Sequence, residues 1–364
     1  MKIKENKTIN MKVIVWTPEI DDLYLKKGLI GGLAIQMRYW TETFVRKEWD
    51  VYVPTYNKSR IYNGIRFFKY HNIPKVGVVT EYIFALYYLL RIKPDLILLR
   101  GARRQLGSVA IFAKLLNIKV LFLGASDADF KPEEELINNK KSRIIYRIGI
   151  RNTGYFVLQN NNQKECLSKN YGEKKCVIIP NIWPSSDKNN ATGVRDIDFL
   201  WVGNFRELKR PQWFIQLAKD NPQYKFVMVG GSANGSQLYV DCEKQARQCK
   251  NLEFLGRTDF DDVNRLFGRT KIYVCTSEIE GFPNTFLQAW SNDIPVITTF
   301  DPSDTVKKNS LGLTVNGYKE LNATAKILIG NDKKYQEFQQ SIAEYFKTSH
   351  NADMMYERLI TMIK

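Results

Sequence analysis

The sequence predicts an α/β protein built from two doubly wound domains. The chain has 364 residues, which is long for one hydrophobic core and suits two. Short apolar runs alternate with helix-like segments along both halves of the chain. Residues 198–231 contain one complete strand–helix–strand unit, and a glycine follows each of its two strands. These three observations favour parallel sheets flanked by helices.

The elements of the first half follow a regular order. Strand Val13–Trp16 leads through a long loop to Gly31 and Gly32, and a helix is predicted at Leu33–Val45. A second helix is predicted near Ser108–Leu116. Further strands are predicted at Val51–Pro54, Asp95–Leu99, Val120–Leu123, Tyr155–Gln159 and Val177–Pro180. The apolar, aromatic segment Val76–Leu90 fits either a buried core helix or a helix lying at an interface.

The strand–helix–strand unit of the second half carries basic residues in its first turn. Strand Phe199–Val202 ends at Gly203, and Arg206, Lys209 and Arg210 follow before a helix that begins at Pro211. Strand Phe226–Val229 then ends at Gly230 and Gly231. Because open α/β sheets bind ligands beyond the carboxyl ends of their strands, this turn is either a clamp for a diphosphate or a solvated basic surface.

A second segment, residues 276–299, is predicted to form an acidic loop, a short helix and a buried strand. Glu280, Gly281, Phe282 and Pro283 precede the helix, which Asn284 and Thr285 are placed to cap. A helix N-terminus suits a phosphate, and a carboxylate beside it accepts hydrogen bonds from sugar hydroxyls. The alternative is an ordinary loop and helix of an α/β domain.

Together these two segments resemble the C-terminal half of the retaining glycosyltransferases of family 4 (glycosyl transferases group 1). The run IPNIW at 179–183 also resembles the end-of-domain strand and hinge of that family. The resemblance implies the GT-B fold, in which two Rossmann-like, doubly wound domains face a central cleft. We expect an N-terminal, acceptor-binding domain at residues 1–185, joined by a last helix at 353–364, and a nucleotide-sugar domain at 186–352.

The resemblance also assigns roles to individual residues. Lys209 matches the family lysine that holds the donor diphosphate, and Glu280 matches the glutamate that contacts the donor sugar. The family arginine usually follows the glycine directly, but Asn204 stands there and Arg206 is its substitute. The second family glutamate, which binds the ribose, is Gln288 here. The remaining predicted donor contacts are Gly203, Gly230, Arg257, Gly281, Phe282, Pro283, Asn284 and Thr285.

In the first half, the resemblance places Gly31 and Gly32 against the donor phosphate, since glycine permits close backbone approach. Many family members carry a histidine after the strand equivalent to Val120–Leu123, whereas this chain reads GASDADF. Asp127, or Ser126, is expected to take over that positioning. The Asp127–Asp129 spacing also resembles the DxD metal motif of a different glycosyltransferase fold. We expect no metal and no cofactor, because basic side chains and helix N-termini neutralise the UDP- or GDP-linked donor.

Composition narrows the functional classes. Five scattered cysteines without a CxxC pair indicate reduced thiols and argue against a zinc site. Only two histidines are present, so a histidine metal cluster is also not expected. No segment has 18 consecutive apolar residues, and the polar first ten residues do not resemble a secretory signal. These features favour a cytoplasmic protein.

The positive charge is concentrated in the first half of the chain. Residues 1–185 contain 31 Lys and Arg against 16 Asp and Glu, whereas residues 186–364 contain 23 against 22. Such asymmetry indicates an anionic partner: a membrane surface, an acidic or lipid-linked acceptor, or nucleic acid. The alternative is a merely basic, soluble surface. Arg100, Arg103 and Arg104 follow a predicted strand and either grip an acidic acceptor or hold nearby carboxylates.

We therefore expect a retaining, hexosyl-type glycosyltransferase that moves a sugar to a hydroxyl of a glycan or lipid-linked acceptor in bacterial surface polysaccharide biosynthesis. It is expected in the cytoplasm, peripherally on the plasma membrane through its basic half. One alternative is a non-catalytic sugar-binding or partner subunit, and another is a sugar-nucleotide epimerase or phosphorylase on the same fold. Nucleic-acid binding is not expected, because no helix-turn-helix or RNP-like motif is present.

Overall fold

The computed structural model describes residues 10–25, 31–70, 77–183, 193–232 and 236–364. Its chain divides into two compact units. The first comprises the described residues of Met1–Pro184 together with Ala352–Lys364, and the second comprises the described residues of Ser185–Asn351. No helix in the described part of the chain is long and apolar enough to cross a membrane.

The first unit is built on a mixed sheet that is parallel except at one edge. Its strands are β1 (Lys12–Val15), β2 (Asp50–Thr55), β3 (Arg60–Tyr62), β4 (Ile65–Lys69), β5 (Leu96–Arg100), β6 (Lys119–Leu123), β7 (Tyr155–Leu158) and β8 (Lys175–Ile178). In the described chain their order is β3-β4-β2-β1-β5-β6-β7-β8, and β3 alone runs antiparallel to its neighbour. The inner strands are almost wholly apolar, as strands covered on both faces must be.

Helices cover both faces of this sheet. They are α1 (Glu19–Tyr24), α2 (Gly32–Arg46), α3 (Gly77–Ile92), α4 (Gln105–Leu115), α5 (Lys140–Asn152) and α6 (Asn161–Tyr171). Side chains of α3, α4, α5 and α6 share one core with β1, β5, β6 and β7. The opposite face is covered by α2 and by the last helix of the chain, α14 (Ala352–Ile363), which contacts α2, β7 and β8.

The last helix is firmly attached to the first unit. Most of its apolar side chains are buried, Leu359 completely. The indole Nε1 of Trp49 donates to the hydroxyl of Tyr356 over 3.0 Å, and Lys119 Nζ donates to the carbonyl of Ile363 over 2.8 Å. The first unit is therefore assembled from both ends of the chain.

Parallel strands alone form the sheet of the second unit, within the described residues. They are β9 (Ile197–Val202), β10 (Phe226–Val229), β11 (Leu252–Gly256), β12 (Thr270–Cys275), β13 (Val296–Thr298) and β14 (Gly312–Thr314), in the order β11-β10-β9-β12-β13-β14. The helices are α7 (Pro211–Lys219), α8 (Gln237–Ala246), α9 (Phe260–Gly268), α10 (Asn284–Trp290), α11 (Thr305–Lys308), α12 (Tyr318–Ile329) and α13 (Asp332–Ser349).

Candidate active site

Three glycines mark the carboxyl ends of neighbouring strands in the second unit. Gly203 N–H donates to the carbonyl of Val229 over 3.0 Å, and Gly230 N–H donates to the carbonyl of Gly256 over 2.8 Å. A Cβ atom on Gly230 would lie 1.8 Å from the carbonyl oxygen of Gly203. Because that oxygen belongs to the backbone and cannot swing away, only glycine fits at residue 230.

Lys209 and Glu280 meet at this edge of the sheet. Lys209 ends a short 3₁₀ turn, Glu207–Lys209, and its ammonium group forms an ion pair with a carboxylate oxygen of Glu280. Ser277 Oγ donates to the same oxygen over 2.8 Å. The Lys209 side chain is 23% exposed and that of Glu280 is 17% exposed, so both reach solvent while losing part of their hydration.

The loops that carry this ion pair are joined by further hydrogen bonds. Thr276 Oγ1 donates to the carbonyl of Lys209 over 2.6 Å and accepts from Trp201 Nε1 over 3.0 Å. The backbone N–H of Glu278 donates to the carbonyl of Leu208 over 2.7 Å. Because these bonds do not involve the charged groups, they hold Lys209 near Glu280 even when the ion pair opens. Sequence reasoning did not identify Ser277 or Thr276, whose importance comes from contacts that only the fold creates.

The other two cations of the basic turn differ in their environment. Arg210 pairs with Glu278 at 3.0 Å and lies over the ring of Trp213, 4.8 Å from its centroid. Arg206 is exposed and pairs with no carboxylate of the described residues. Asn204 is half-buried just after Gly203. Arg206 is thus the cation of this turn that can reach a solvent-borne anion without breaking an existing ion pair.

The segment after Glu280 differs in one respect from the sequence prediction. Helix α10 begins at Asn284, its N-cap residue is Pro283, and no side chain there caps it. The prediction that Asn284 and Thr285 cap the helix is therefore wrong. Pro283 takes the cap position because its extended backbone conformation turns the chain into the helix, and both polar residues fall in the first turn. Gly281 is exposed ahead of them.

Phe282 connects this loop to a buried aromatic cluster that the sequence did not reveal. Its ring centroid lies 6.2 Å from that of Trp290 and 5.4 Å from that of His350. His350 is completely buried, and its Nε2 lies 3.2 Å from the hydroxyl of Tyr345. These residues are far apart in sequence, so no local pattern indicates that His350 supports the Glu280 loop.

Gln288 lies on the buried side of α10. It is 3% exposed, and its Nε2 donates to Asn264 Oδ1 on α9 over 2.7 Å. Its backbone carbonyl accepts from Ser291 Oγ over 3.0 Å and from Asn292 Nδ2 over 2.8 Å. Arg257 is exposed directly after β11. A ligand that forms hydrogen bonds with the side-chain amide of Gln288 therefore has to share that amide with Asn264.

The predicted residues of the first unit also lie at element ends. Gly31 is the N-cap of the 15-residue helix α2, with an extended backbone, and among the described residues beyond its chain neighbours no atom lies within 4 Å of the place a Cβ would take. No side chain caps this helix at Gly31, so its first N–H groups are not satisfied by a side chain of that residue. The donor-binding role that the resemblance gives Gly31 and Gly32 stays a prediction.

Asp127 and Asp129 share one 3₁₀ turn, Asp127–Phe130, but differ in their surroundings. Asp127 is half-buried and accepts from the side-chain amide of Asn162. Asp129 is 2% exposed and accepts backbone N–H bonds from Ala125 over 2.6 Å and from Ser126 and Ala102, each over 3.2 Å. Burial raises the pKa of Asp129 to about 6, against those three N–H bonds and nearby Arg100. Asp129 therefore fixes the backbone of its own turn.

The contacts of Asp127 and Asp129 are relevant to the alternative in which their spacing forms a DxD metal site. Among the described residues, no group of three or more His, Cys, Asp or Glu side chains is placed to hold a metal ion. The carboxylate of Asp129 points to backbone N–H groups, so the Asp127–Asp129 spacing does not present two free carboxylates to solvent.

The arginines after β5 hold groups of their own unit. Arg103 pairs with Glu19 at 2.7 Å, and Arg104 pairs with the buried Glu81 at 2.5 Å. Arg100 is 6% exposed and donates to Asn181 Oδ1 over 2.6 Å, and burial lowers its pKa to about 10. Arg103 and Arg104 therefore hold nearby carboxylates, which is one of the two interpretations that the sequence left open.

Two Rossmann-like units, with cations and a carboxylate at the carboxyl ends of the second sheet, define the GT-B class of fold. Solved structures of this fold align over most of the chain. Sucrose-phosphate synthase from Thermosynechococcus elongatus is 14% identical, with a TM-score of 0.75 over 97% of this chain and 98% of that one. A mutant of S. aureus TarM, in complex with fondaparinux, alpha-GlcNAc-glycerol and UDP, is 15% identical, with a TM-score of 0.59 over 77% of this chain and 58% of that one.

A family model also matches part of the sequence. Residues 184–345, nearly all in the second unit, match the model of the glycosyl transferases group 1 family. One curated relative is the O-antigen biosynthesis glycosyltransferase WbnH of Escherichia coli, which is 28% identical over 127 residues. That match spans 34% of this chain and 35% of WbnH. The predicted GT-B fold and the predicted likeness of the second unit to glycosyl transferases group 1 are thereby confirmed, while family 4 and retention of configuration stay predictions.

Proposed function

We propose that the protein is a retaining glycosyltransferase that moves a hexosyl group from a nucleoside diphosphate sugar to a hydroxyl of a glycan or lipid-linked acceptor. The observation that carries this proposal is the Lys209–Glu280 ion pair at the carboxyl edge of a sheet in a glycosyl transferases group 1 domain. An ammonium group suits the donor diphosphate, and a carboxylate suits the hydroxyl groups of the donor sugar.

The geometry supports an exchange of partners on donor binding. Without donor, Lys209 and Glu280 neutralise each other, while Ser277 also bonds the carboxylate. A diphosphate carries more negative charge than one carboxylate, so it draws the ammonium group of Lys209 towards itself. Glu280 then keeps the hydrogen bond of Ser277 and has a free oxygen for a sugar hydroxyl. The uncharged loop contacts through Thr276 hold both residues in place during this exchange.

The same arrangement supplies the charge stabilisation that the reaction needs. Breaking the bond between sugar and phosphate develops negative charge on the leaving diphosphate and positive charge on the anomeric carbon. Lys209 and the exposed Arg206 are fixed cations for the first, which is electrostatic preorganisation. In this proposal the leaving phosphate oxygen takes the proton of the acceptor hydroxyl on the same face of the sugar, so that configuration is retained. No metal and no cofactor takes part in the proposed step.

The remaining predicted donor contacts complete this proposal. Gln288 and Arg257 are assigned to the nucleoside, and the backbone around Gly203, Asn204 and Gly230 is assigned to the phosphates. Gly281, Phe282, Pro283, Asn284 and Thr285 form the loop beside the sugar. Gly31, Gly32 and Asp127 keep the donor-positioning roles that the resemblance implies. Similarity to WbnH supports an acceptor in surface polysaccharide biosynthesis, and the five free cysteines support a reducing, cytoplasmic location.

A thermal-shift series tests the donor site. UDP, GDP, ADP and their sugar conjugates are each added to the full chain, to Lys209→Ala and to the matched control Lys219→Ala, whose side chain is exposed at the end of α7. A ligand at about 100 times its dissociation constant stabilises by roughly 2.7 kcal/mol. We expect one nucleotide series, with UDP tested first because of TarM, to raise the melting temperature of wild type and Lys219→Ala and not that of Lys209→Ala.

The outcomes separate the proposed functions. A nucleotide that shifts all three proteins equally contradicts the role of Lys209, and no shift with any nucleotide contradicts the donor site. Binding followed by release of nucleoside diphosphate in the presence of an acceptor supports transfer. Binding without turnover supports a sugar-binding subunit. The burial of Gln288 and its hydrogen bond to Asn264 favour that alternative. Conversion of one sugar nucleotide into another supports an epimerase.

A further inference from the structure

One face of helix α3 is apolar and faces away from the core of the first unit. Ala85 and Leu89 are buried against the sheet, whereas Val79, Ile83, Tyr87 and Leu90 are 46% to 61% exposed. Residues that recur every three or four positions share one side of a helix, so these side chains form a continuous stripe. Arg91 lies at the end of the stripe, and its guanidinium donates to the hydroxyl of Tyr87 over 2.7 Å.

Helix α5 presents a matching face of mixed apolar and basic residues. Tyr146 and Ile150 are completely buried, while Ile144 is 56% exposed and Ile148 is 36% exposed. Three cations lie on the exposed side with them: Lys140, Lys141 and Arg151. Because α3 and α5 both pack beside α4 on the same face of the sheet, their exposed sides belong to the outer surface of one helical layer.

This surface carries more positive than negative charge, because Glu133 and Glu135 pair with only two of its cations, Arg143 and Arg147. The segments that form α3, α4 and α5 contain a single acidic residue, Glu81, which is buried and paired with Arg104. In the described part of the chain, five cations of these helices form no ion pair with a carboxylate: Arg91, Lys114, Lys140, Lys141 and Arg151. The layer therefore combines exposed aliphatic side chains with unpaired cations.

We propose that this outer layer of α3 and α5 docks on an anionic lipid surface. Exposed apolar patches mark interaction sites, and the cations around this one select a negatively charged partner. A helix that alternates aliphatic residues with Lys and Arg is suited to the boundary between headgroups and acyl chains. Val79, Ile83 and Leu90 enter that boundary, and the cations of α5 contact the headgroups. The proposal does not depend on which reaction the second unit catalyses.

Vesicle binding tests this proposal without any assay of activity. The full chain is sedimented with vesicles of phosphatidylcholine alone and of phosphatidylcholine mixed with phosphatidylglycerol. We expect binding to the mixed vesicles only, weakened by added salt. One basic residue near an anionic surface strengthens partitioning about fivefold, so the double variant Lys140→Ser, Lys141→Ser should bind roughly 25-fold more weakly.

A matched pair of apolar substitutions separates docking from general surface charge. Ile83→Glu places a carboxylate in the stripe and should lower partitioning by at least about 30-fold. Ile327→Glu is the control, because Ile327 is 59% exposed on a helix of the second unit, against 61% for Ile83. It should bind as the wild type does. Thermal melting of each variant shows that the fold is kept.

Several results would overturn the proposal. Wild-type protein that does not bind the mixed vesicles would contradict it. Equal binding by Ile83→Glu and Ile327→Glu would contradict it as well. Equal binding to neutral and anionic vesicles would remove the role of the cations. A dimer in solution that Ile83→Glu separates into monomers, without lipid binding, would show that a second copy of the chain covers this face.

Discussion

Asp129 couples the stability of the first unit to pH. Burial raises its pKa from the ordinary 3.8 to about 6, so the folded chain binds this proton more tightly than the unfolded chain does. The resulting stabilisation is complete below about pH 4 and is lost as the pH rises through about 6, an effect of roughly 3 kcal/mol. We expect Asp129→Asn to lack this part of the pH dependence in urea unfolding measured from pH 4 to 7.

The neighbouring carboxylate supplies the control for this prediction. Asp127→Asn removes a carboxylate two residues away that reaches solvent, so it separates the effect of burial at Asp129 from the loss of any carboxylate in this turn. Parallel pH curves for the wild type and Asp129→Asn would contradict the prediction. Such curves would mean that the three backbone N–H bonds lower the pKa of Asp129 by as much as burial raises it.

Single residues of the candidate site were predictable where they carry charge in a recognisable sequence context. Lys209 and Glu280 are 71 positions apart in sequence, and the fold brings them into one ion pair, although their roles stay predictions. Ser277 and His350 were not predictable, because each acts through a neighbour that only tertiary structure supplies. The amide of Gln288 was predictable as a departure from the family pattern, but its bond to Asn264 was not.

At the scale of elements, helices α4 and α5 cross closely because each has a glycine at the contact. A Cβ atom on Gly107 would lie 2.3 Å from the carbonyl oxygen of Ile145, and one on Gly149 would lie 2.7 Å from the backbone nitrogen of Gly107. Gly107→Ala therefore forces two backbones apart. We expect it to lower the free energy of unfolding by about 3 kcal/mol, measured by urea denaturation.

Another glycine of the same unit serves as the reference for that substitution. Gly154 lies between α5 and β7, and no described atom beyond its chain neighbours lies within 4 Å of the place its Cβ would take. Gly154→Ala should change the unfolding free energy by less than about 0.5 kcal/mol. If both variants unfold at the same urea concentration, the two helices can separate without loss and the prediction fails.

Strands and helices with strong apolar patterns were predictable, and weaker ones were not. The first strand, the helix that follows Gly31 and the helix that begins at Pro211 lie where the sequence places them. The β3–β4 hairpin was missed, although Asn63 and Gly64, both with positive φ, form the Asn-Gly turn that is typical of hairpins. Helix α5 was also missed, because its exposed Ile144 and Ile148 blur the separation into apolar and polar faces.

At the scale of the whole molecule, the last helix completes the first unit. Leu359 is fully buried against that unit, whereas the adjacent Arg358 is exposed. We expect Leu359→Ala to lower the free energy of unfolding by roughly 2–5 kcal/mol and Arg358→Ala to change it by less than about 0.5 kcal/mol. Hydrogen exchange should quicken in β7 and β8, the strands that α14 contacts, and urea unfolding gives the size of the loss.

Exchange rates that rise only in α14 itself would contradict this prediction. They would mean that the helix frays from the unit without loosening the sheet beneath it. Equal effects of Leu359→Ala and Arg358→Ala would contradict it as well, because these two residues are adjacent on the helix and differ mainly in burial.

The overall fold was predictable because it depends on repeated local patterns. Length, alternating apolar runs and two family-like segments sufficed for the GT-B fold, which is confirmed. The charge asymmetry was also visible in the sequence, but the surface that concentrates exposed aliphatic residues beside cations was not. That surface depends on which side of α3 and α5 meets the core, and Val76–Leu90 alone fits both a core helix and an interfacial one.

The return of α14 to the first unit has a consequence for biosynthesis. A ribosome that makes 5–20 residues per second needs roughly ten to thirty seconds to translate the second unit, and only then does α14 emerge. Until that moment Trp49 lacks Tyr356, its partner on the far end of the chain. The nascent first unit thus keeps an uncovered aromatic surface during this time, while the second unit is free to fold ahead of it.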